Sequence, residues 1–493
     1  MIGLDAGTSA VKAVAFGVDR AWQHAEEAEY PLDAPAPGRQ EQDPAAIAVA
    51  ALRALAACVR GAEGARVAAI SLGTAMHGLI GLDDARRPLT PLVTWADGRG
   101  ATQARELRER GLALALQRET GTPVHPMSPL VKILWFTRNE PSLSARVRWW
   151  VGLKEHLLLA LTGTLATELS SASGSGLLCL ATRRWSPMAL EVCGASAAQL
   201  PEVLPTTAQL PLRAEVARRI GVAPGTPVVV GAGDGPLGNV GTGAMERGEV
   251  GISLGTSGAA RMVVPEPCVD DRGALFCYAL TESHWVVGGA VSNGGIVARW
   301  AADALAPDLE GGEDALLALA ATAPPGCDGL VMLPYLLPER APLWDADLPG
   351  AYLGLRVAHG RAHLIRAAVE GVCLQLAASV RLLDAMQPVV SLHATGGAFR
   401  APLWREIMAA VMDRPLRVIA SSGGTALGAA ALGLYALGRV GDLTHAAHAL
   451  APGAGDAETV APDPALAARY AEVQAQLPER IETLQRVAAF QRS

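Results

Sequence analysis

The sequence predicts an α/β protein built from two similar domains. Three observations predict it. A strand–Gly-Thr-Ser–strand unit opens the chain at Ile2–Phe16, and a second runs from Val250 to Val264. The two turn glycines, Gly7 and Gly255, lie about half a chain apart. Short apolar runs alternate with helical periodicity on both sides, as in α/β architectures and internal duplications. The 493 residues suffice for two to four domains with sizeable cores, so disulfides and structural metals are not required.

Each element follows from local chemistry. In Ile2–Phe16, apolar runs flank Gly-Thr-Ser, which reads as a hairpin with Asp5 at the end of its first strand. Asp43-Pro44 supplies an N-cap and a first-turn proline for a helix to about Arg60. Val67–Leu72 and Ile80–Leu82 read as buried strands, with a turn at Asp83-Asp84, and helical periodicity covers Ala101–Leu116. Val228-Val229-Val230 reads as a strand that runs into the glycine-flanked Asp234. Trp285–Val291 reads as a strand followed by a helix through Trp300. His363–Leu383 reads as a long helix and Val389–Thr395 as a strand ending in Gly396-Gly397. Gly423-Gly424-Thr425 opens a helix to Leu437, and an amphipathic helix follows Asp463.

Composition narrows the function. Half the residues are hydrophobic, which excludes disorder of the chain as a whole. A net charge of −7 argues against nucleic acid as a partner. Seven dispersed cysteines without a C-x-x-C fit reduced thiols, not a disulfide framework or a zinc site. The N-terminus lacks the pattern of a signal peptide. The longest low-charge apolar stretch, Thr425–Gly438, is too short to span a membrane. A cytoplasmic protein with no membrane partner is expected, and homodimer formation is left open. Only three of the 41 basic residues are lysine: Lys12, Lys132 and Lys154. In so arginine-biased a chain, a retained lysine marks a place where a compact ammonium suits better than a planar fork.

The chemistry-bearing residues cluster at the turns. Asp5-x-Gly7-Thr8-Ser9-x-x-Lys12 gathers a carboxylate, turn amides, two hydroxyls and an ammonium on one hairpin. Such a turn can hold phosphate oxygens, and Asp5 can hold hydrated Mg²⁺. One Gly-Thr-Ser would fit an ordinary hairpin. Its recurrence at Gly255-Thr256-Ser257, with Gly396-Gly397, favours phosphate binding. There is no Walker loop. Asp234 between Gly233 and Gly235 reads either as an accessible general base or as a simple turn. Gly251–Gly255 matches G-x-S-x-G, but a strand follows where a hydrolase needs a helix. His445 and His448 lack a third ligand and read as a helix surface.

With these residues assembled, the chain resembles the FGGY family of carbohydrate kinases. The likeness is carried by the Asp5 hairpin, Met76-His77-Gly78, Trp95-x-Asp97-x-Arg99, Leu161-Thr162-Gly163, Gly233-Asp234-Gly235, Ser253–Gly258, Glu370-Gly371-Val372 and Gly396-Gly397-Ala398. Thr120–Leu130, with Ala75–Leu79 and Pro88–Pro91, is most similar to members that phosphorylate gluconate.

The resemblance implies two actin-like, ribonuclease H-like domains, residues 1–240 and 241–493, with an active-site cleft between them. It implies transfer of phosphate from ATP, with Mg²⁺, to a sugar acid or polyol. Asp234 would be the base and Asp5 would lie near the metal. Gly7, Thr8, Ser9, Lys12, Gly255, Thr256, Ser257, Gly295, Arg299, Gly396 and Gly397 would face the nucleotide and its phosphates. Met76, His77, Gly78, Trp95, Asp97 and Arg99 would contact the substrate. A substrate carboxylate calls for a cation, and Lys132 is the first candidate, ahead of Arg99, His125 and Lys154. A ketopentose kinase is the alternative reading, and an ATP-driven binding module the remote one. Phe399-Arg400-Ala401 departs from relatives that carry Asn there.

Overall fold

The computed structural model describes residues 1–18, 22–62, 64–419, 424–450 and 457–492. The chain forms two compact units. The first comprises Met1–Glu246, Val263–Val287 and Ser422–Ala454; the second comprises Arg247–Met262, Gly288–Ser421 and Gly455–Ser493.

The first unit is organised by a six-stranded sheet. Its order is Gln209–Pro211, Pro227–Gly233, Ile70–Thr74, Ile2–Ala6, Ala10–Phe16, Gln23–Glu29. Ile2–Ala6 and Ala10–Phe16 form the expected antiparallel hairpin, with Asp5 opposite Lys12. The strand Ile70–Thr74 runs parallel to Ile2–Ala6 and places Gly73 beside Asp5. It begins three residues later than Val67, because the residues before Ile70 form no ladder. Helix Pro44–Gly61 starts where its cap predicts: the Asp43 side chain accepts from the Ala45 amide. The helix buries Ile47, Ala51, Ala54, Leu55 and Cys58 against the sheet. The Ala/Gly-rich helix Gly424–Ala436 packs on the strands Ile2–Ala6 and Ile70–Thr74. Contact is close enough that a Cβ on Gly3 would stand 1.9 Å from the Ala426 carbonyl oxygen. That approach explains why this helix is built from small residues. Gly423 lies outside the described residues.

The stretch Ala101–Leu116 is two helices, Ala101–Glu109 and Ala113–Thr120, divided at Gly111 with its φ of 72°. The segment Gly233-Asp234-Gly235 is also no simple turn. Asp234 is the first residue of helix Asp234–Gly241.

The second unit repeats the opening arrangement of the first. Glu249–Leu254 and Gly258–Val264 pair antiparallel, and Glu249–Leu254 lies parallel to Ser391–Thr395. Leu416–Val418 and Glu458–Val460 extend the sheet. Helix Arg361–Met386 buries residues along its whole length, from Ile365 to Leu383. This helix and Pro44–Gly61 are long and apolar enough to cross a membrane by length and composition. In this fold both bury a face against elements of their own unit. Helix Leu443–Leu450 carries His445 as an exposed partner of Asp442.

Candidate active site

In the first unit, the turn of the first hairpin is held by side chains from three other segments. Tyr30 Oη donates to the Gly7 and Ala10 carbonyls. Gln42 Nε2 donates to the Thr8 carbonyl at 2.6 Å. Trp95 Nε1 donates to Thr8 Oγ1 at 2.9 Å. Ser9 and Lys12 are left exposed at the rim. Trp95, expected as a substrate contact, thus touches the turn of the first hairpin.

Asp5 and Asp234 are electrostatic neighbours. Part of Asp5 is accessible, but its Oδ1 is shielded from solvent and meets no hydrogen-bond partner. Burial pushes the Asp5 carboxyl up to about 7, Asp234 adds to the rise, and Lys12 opposes it. Asp234 is half-buried, and its Oδ1 accepts from the Gly235 amide at 2.8 Å. An orphaned carboxylate oxygen beside a second carboxylate suits a hard divalent cation. Asp5 is the residue that would hold one, with Asp234 as its acidic neighbour.

Met76 packs between Gly174 and Gly233, where an added Cβ would meet its side chain at 2.3 Å and 2.5 Å. His77 has a left-handed φ of 66°, and its Nδ1 lies 2.8 Å from the Gly174 carbonyl oxygen. Its ring stands edge-on to Tyr278 at 5.5 Å. Met76-His77 is thereby brought against the strand that delivers Asp234. A cavity of about 50 Å³ borders His77 and Gly78. It has room for about one or two waters.

Asp97 and Arg99 form a buried pair. Arg99 Nε donates to Asp97 Oδ1 at 2.7 Å, and its Nη2 donates to Glu41 at 2.5 Å. Burial opposes charge on Asp97. The Arg99 guanidinium and the Gln40 and Arg99 amides outweigh it and hold the carboxyl below its usual range. Arg99 also lies over the Trp135 ring at 5.1 Å.

Lys132 requires a correction. It was expected to meet a substrate carboxylate. Its Nζ instead donates to the carbonyls of His77 at 2.5 Å, Met127 at 2.8 Å and Val93 at 3.4 Å. The residue is fully buried, its three acceptors match the three hydrogens of an ammonium, and burial pushes that ammonium down to about 7. Lys154 is also buried and donates to the Leu72, Val230 and Ala232 carbonyls. His125 is buried as well, its Nδ1 accepting from the Met127 amide.

In the second unit, Gly255, Thr256, Gly295, Arg299 and Gly397 line one pocket of about 370 Å³. The Gly295 amide donates to the Gly255 carbonyl at 2.7 Å, and the Ile296 amide to the Thr256 carbonyl at 3.1 Å. The second hairpin turn therefore rests on the N-terminus of helix Gly295–Leu305, and its carbonyls take the first amides of that helix. Gly396 closes against the same hairpin with a φ of 116°; a Cβ there would stand 2.2 Å from the Leu254 carbonyl oxygen. Arg261 Nη1 reaches Ser253 Oγ at 3.2 Å. Among the described residues, no group of three or more metal-ligating side chains occurs.

Sequence reasoning missed Tyr30, Gln42 and the pocket wall of Leu309, Gly312, Glu313 and Leu316. Tyr30 and Gln42 act through backbone carbonyls, and no motif signals that role.

Comparison with known proteins gives the class. Residues 1–241 match the N-terminal domain of the FGGY family of carbohydrate kinases, and residues 250–437 match its C-terminal domain. The chain belongs to the FGGY family of carbohydrate kinases. It is 38% identical over 451 residues to a gluconokinase from Bacillus licheniformis, covering 89% of this chain and 88% of that one. The crystal structure of gluconate kinase from Lactobacillus acidophilus matches with a TM-score of 0.91 at 32% identity, over 99% of this chain and 98% of the other. A ligand-bound xylulose kinase from the same organism matches with a TM-score of 0.92 at 32% identity, over 98% of each chain. The fold is that of these kinases, ribonuclease H-like and actin-like.

Proposed function

We propose that the protein transfers the γ-phosphoryl group of ATP to D-gluconate, giving 6-phosphogluconate and ADP. The observation that carries the choice of sugar is the 38% identity to gluconokinases, against 27–32% for the xylulose kinases among its relatives. The segment Thr120–Leu130, whose sequence resembles gluconate-phosphorylating members, supports it, and Lys132 ties its Met127 carbonyl to the carbonyl of His77.

In this reading the terminal hydroxyl of the sugar sits against Asp234. The hydroxyl oxygen forms the new bond to the γ-phosphorus as the bond to the β-γ bridging oxygen breaks. Asp234 takes the hydroxyl proton, and ADP leaves. Phosphoryl transfer passes through a loose transition state, so positioning and charge stabilisation dominate. Thr8 Oγ1 accepts from the Trp95 indole, which leaves its own hydrogen to donate to a phosphate oxygen. The Gly-Thr-Ser amides and Lys12 would stabilise the remaining charge. A divalent cation near Asp5, when bound, would neutralise phosphate charge.

The test is ADP release with ATP and Mg²⁺ against gluconate, xylulose, ribulose, glycerol and no sugar. Turnover selective for gluconate is expected. Turnover selective for a ketose would replace the substrate and keep the base. Sugar-independent ATP consumption would leave only an ATP-driven binding module.

A further inference from the structure

We propose that Lys154 and Lys132 are positioning residues of the active site: each buried ammonium gathers three backbone carbonyls, Lys154 to fix the strand that delivers Asp234 and Lys132 to fix the left-handed residue His77. The inference rests on the kinase reading above and adds to it a role for two residues that touch neither substrate nor phosphate.

The two arrangements are alike. Lys154 Nζ lies 2.7 Å from the Leu72 oxygen, 2.7 Å from Val230 and 3.1 Å from Ala232. Lys132 Nζ reaches the oxygens of His77, Met127 and Val93. Three carbonyl dipoles converging on one buried point repel one another and lack water, so their convergence needs a compact cation with three donors. Arginine presents a rigid planar fork and cannot place three donors on one such point. That explains why a chain with 41 basic residues retains lysine here.

What each lysine fixes is irregular backbone. The register between Pro227–Gly233 and Ile70–Thr74 shifts between Val229 and Ala232. Gly231, inside that irregularity, has a φ of 76°, and a Cβ there would stand 1.7 Å from the Leu72 oxygen. Lys154 binds the carbonyls on either side of Gly231 and the one opposite. Its own charge faces Glu168 at 3.9 Å. Glu168 accepts from the Ser170 and Ser171 amides, and Ser170 Oγ accepts from the Gly233 amide. The network thus grips both Ala232 and Gly233, the two residues before Asp234. Lys132 in turn grips the carbonyl of His77, whose left-handed backbone is costly for a side-chain-bearing residue.

The inference predicts a division of labour that a generic core lysine would not show. Misplacing a reacting group by about 1 Å can cost on the order of 10²-fold in rate. Lys154→Arg and Lys154→Met should therefore lower kcat at least about tenfold with the sugar KM within about threefold. Lys132→Arg and Lys132→Met should raise the sugar KM at least about tenfold with the ATP KM within about threefold. Steady-state kinetics would be measured on the sugar that the wild type turns over, with thermal unfolding as the folding control. Arginine variants with wild-type constants would overturn the inference, as would equal losses in kcat and both KM values from either site. Failure of both variants of one lysine to fold would make that lysine a scaffold residue of the whole unit and overturn its assignment. The wild-type control tests the kinase reading separately: loss of sugar-dependent turnover there defeats the reading, whereas turnover on another sugar leaves the kcat–KM split to be read with that sugar.

Discussion

Asp234 starts a helix, stands half-buried beside Asp5 and has its Oδ1 on the Gly235 amide. In the proposed mechanism Asp234 is the general base. General-base catalysis contributes about 10²–10⁴-fold, so Asp234→Asn should lower kcat by that factor with thermal stability retained. Turnover within threefold of wild type would remove Asp234 from the role. Asp5 argues for the cation differently, through a buried oxygen without a partner. Chelation by EDTA should abolish turnover and Mg²⁺ should restore it. Asp5→Asn should raise the Mg²⁺ concentration for half-maximal rate by about tenfold or more, the order seen when a metal site loses support. An unchanged Mg²⁺ titration would show that Asp5 is not a ligand. Trp95 offers a third test. If its indole orients the Thr8 hydroxyl, Trp95→Phe should cost about three- to tenfold in kcat. The same change in a Thr8→Val background should cost much less, because two residues sharing one hydrogen bond are not additive.

The elements show what local chemistry reveals and what it hides. Asp43-Pro44 capping announced the helix Pro44–Gly61, and both hairpins were visible as apolar runs around Gly-Thr-Ser. The Gly233-Asp234-Gly235 segment was legible as a candidate base but not as a helix start, because Asp-Gly-Pro carries turn chemistry that only tertiary packing overrides. The engagement of Lys132 was hidden for a different reason. The three carbonyls come from His77, Val93 and Met127, and no sequence spacing signals that they converge. Trp95-x-Asp97-x-Arg99 was readable as a motif, yet the structure makes its charged members an ion pair buried with Glu41. That pairing has a measurable consequence. The folded Asp97 carboxyl sits below its ordinary value of 3.8, so its stabilisation is present above that value and is lost as pH falls through the folded value. Breaking a buried pair costs about 3–5 kcal/mol, so Asp97→Asn should lower Tm by about 5–8 °C at pH 7. Below about pH 4 the gap between variant and wild type should narrow. A constant gap between pH 7 and pH 3 would show that Asp97 does not stay charged in the fold.

At the scale of the whole molecule, the two units carry different residue sets. The first holds Asp5, Asp234, Met76-His77 and the first Gly-Thr-Ser; the second holds Gly255-Thr256, Gly295, Arg299 and Gly397 around its own pocket. Both units repeat one device, an antiparallel hairpin whose first strand pairs in parallel with a later strand. The two turns share Gly-Thr-Ser, and Ser253 of the second hairpin stands where the first has Asp5. If the second pocket serves the nucleotide and the first unit the sugar, ground-state binding should separate by unit. Thr256→Ala should raise the KM for ATP by about tenfold, the value of a hydrogen bond to a charged group, and leave the sugar KM within about twofold. His77→Ala should raise the sugar KM and leave the ATP KM within the same range. The measurement is a two-substrate kinetic matrix for each variant. If Thr256→Ala altered the sugar KM as strongly as the ATP KM, the second unit would take part in holding the sugar, and the division of ligands between the units would fall.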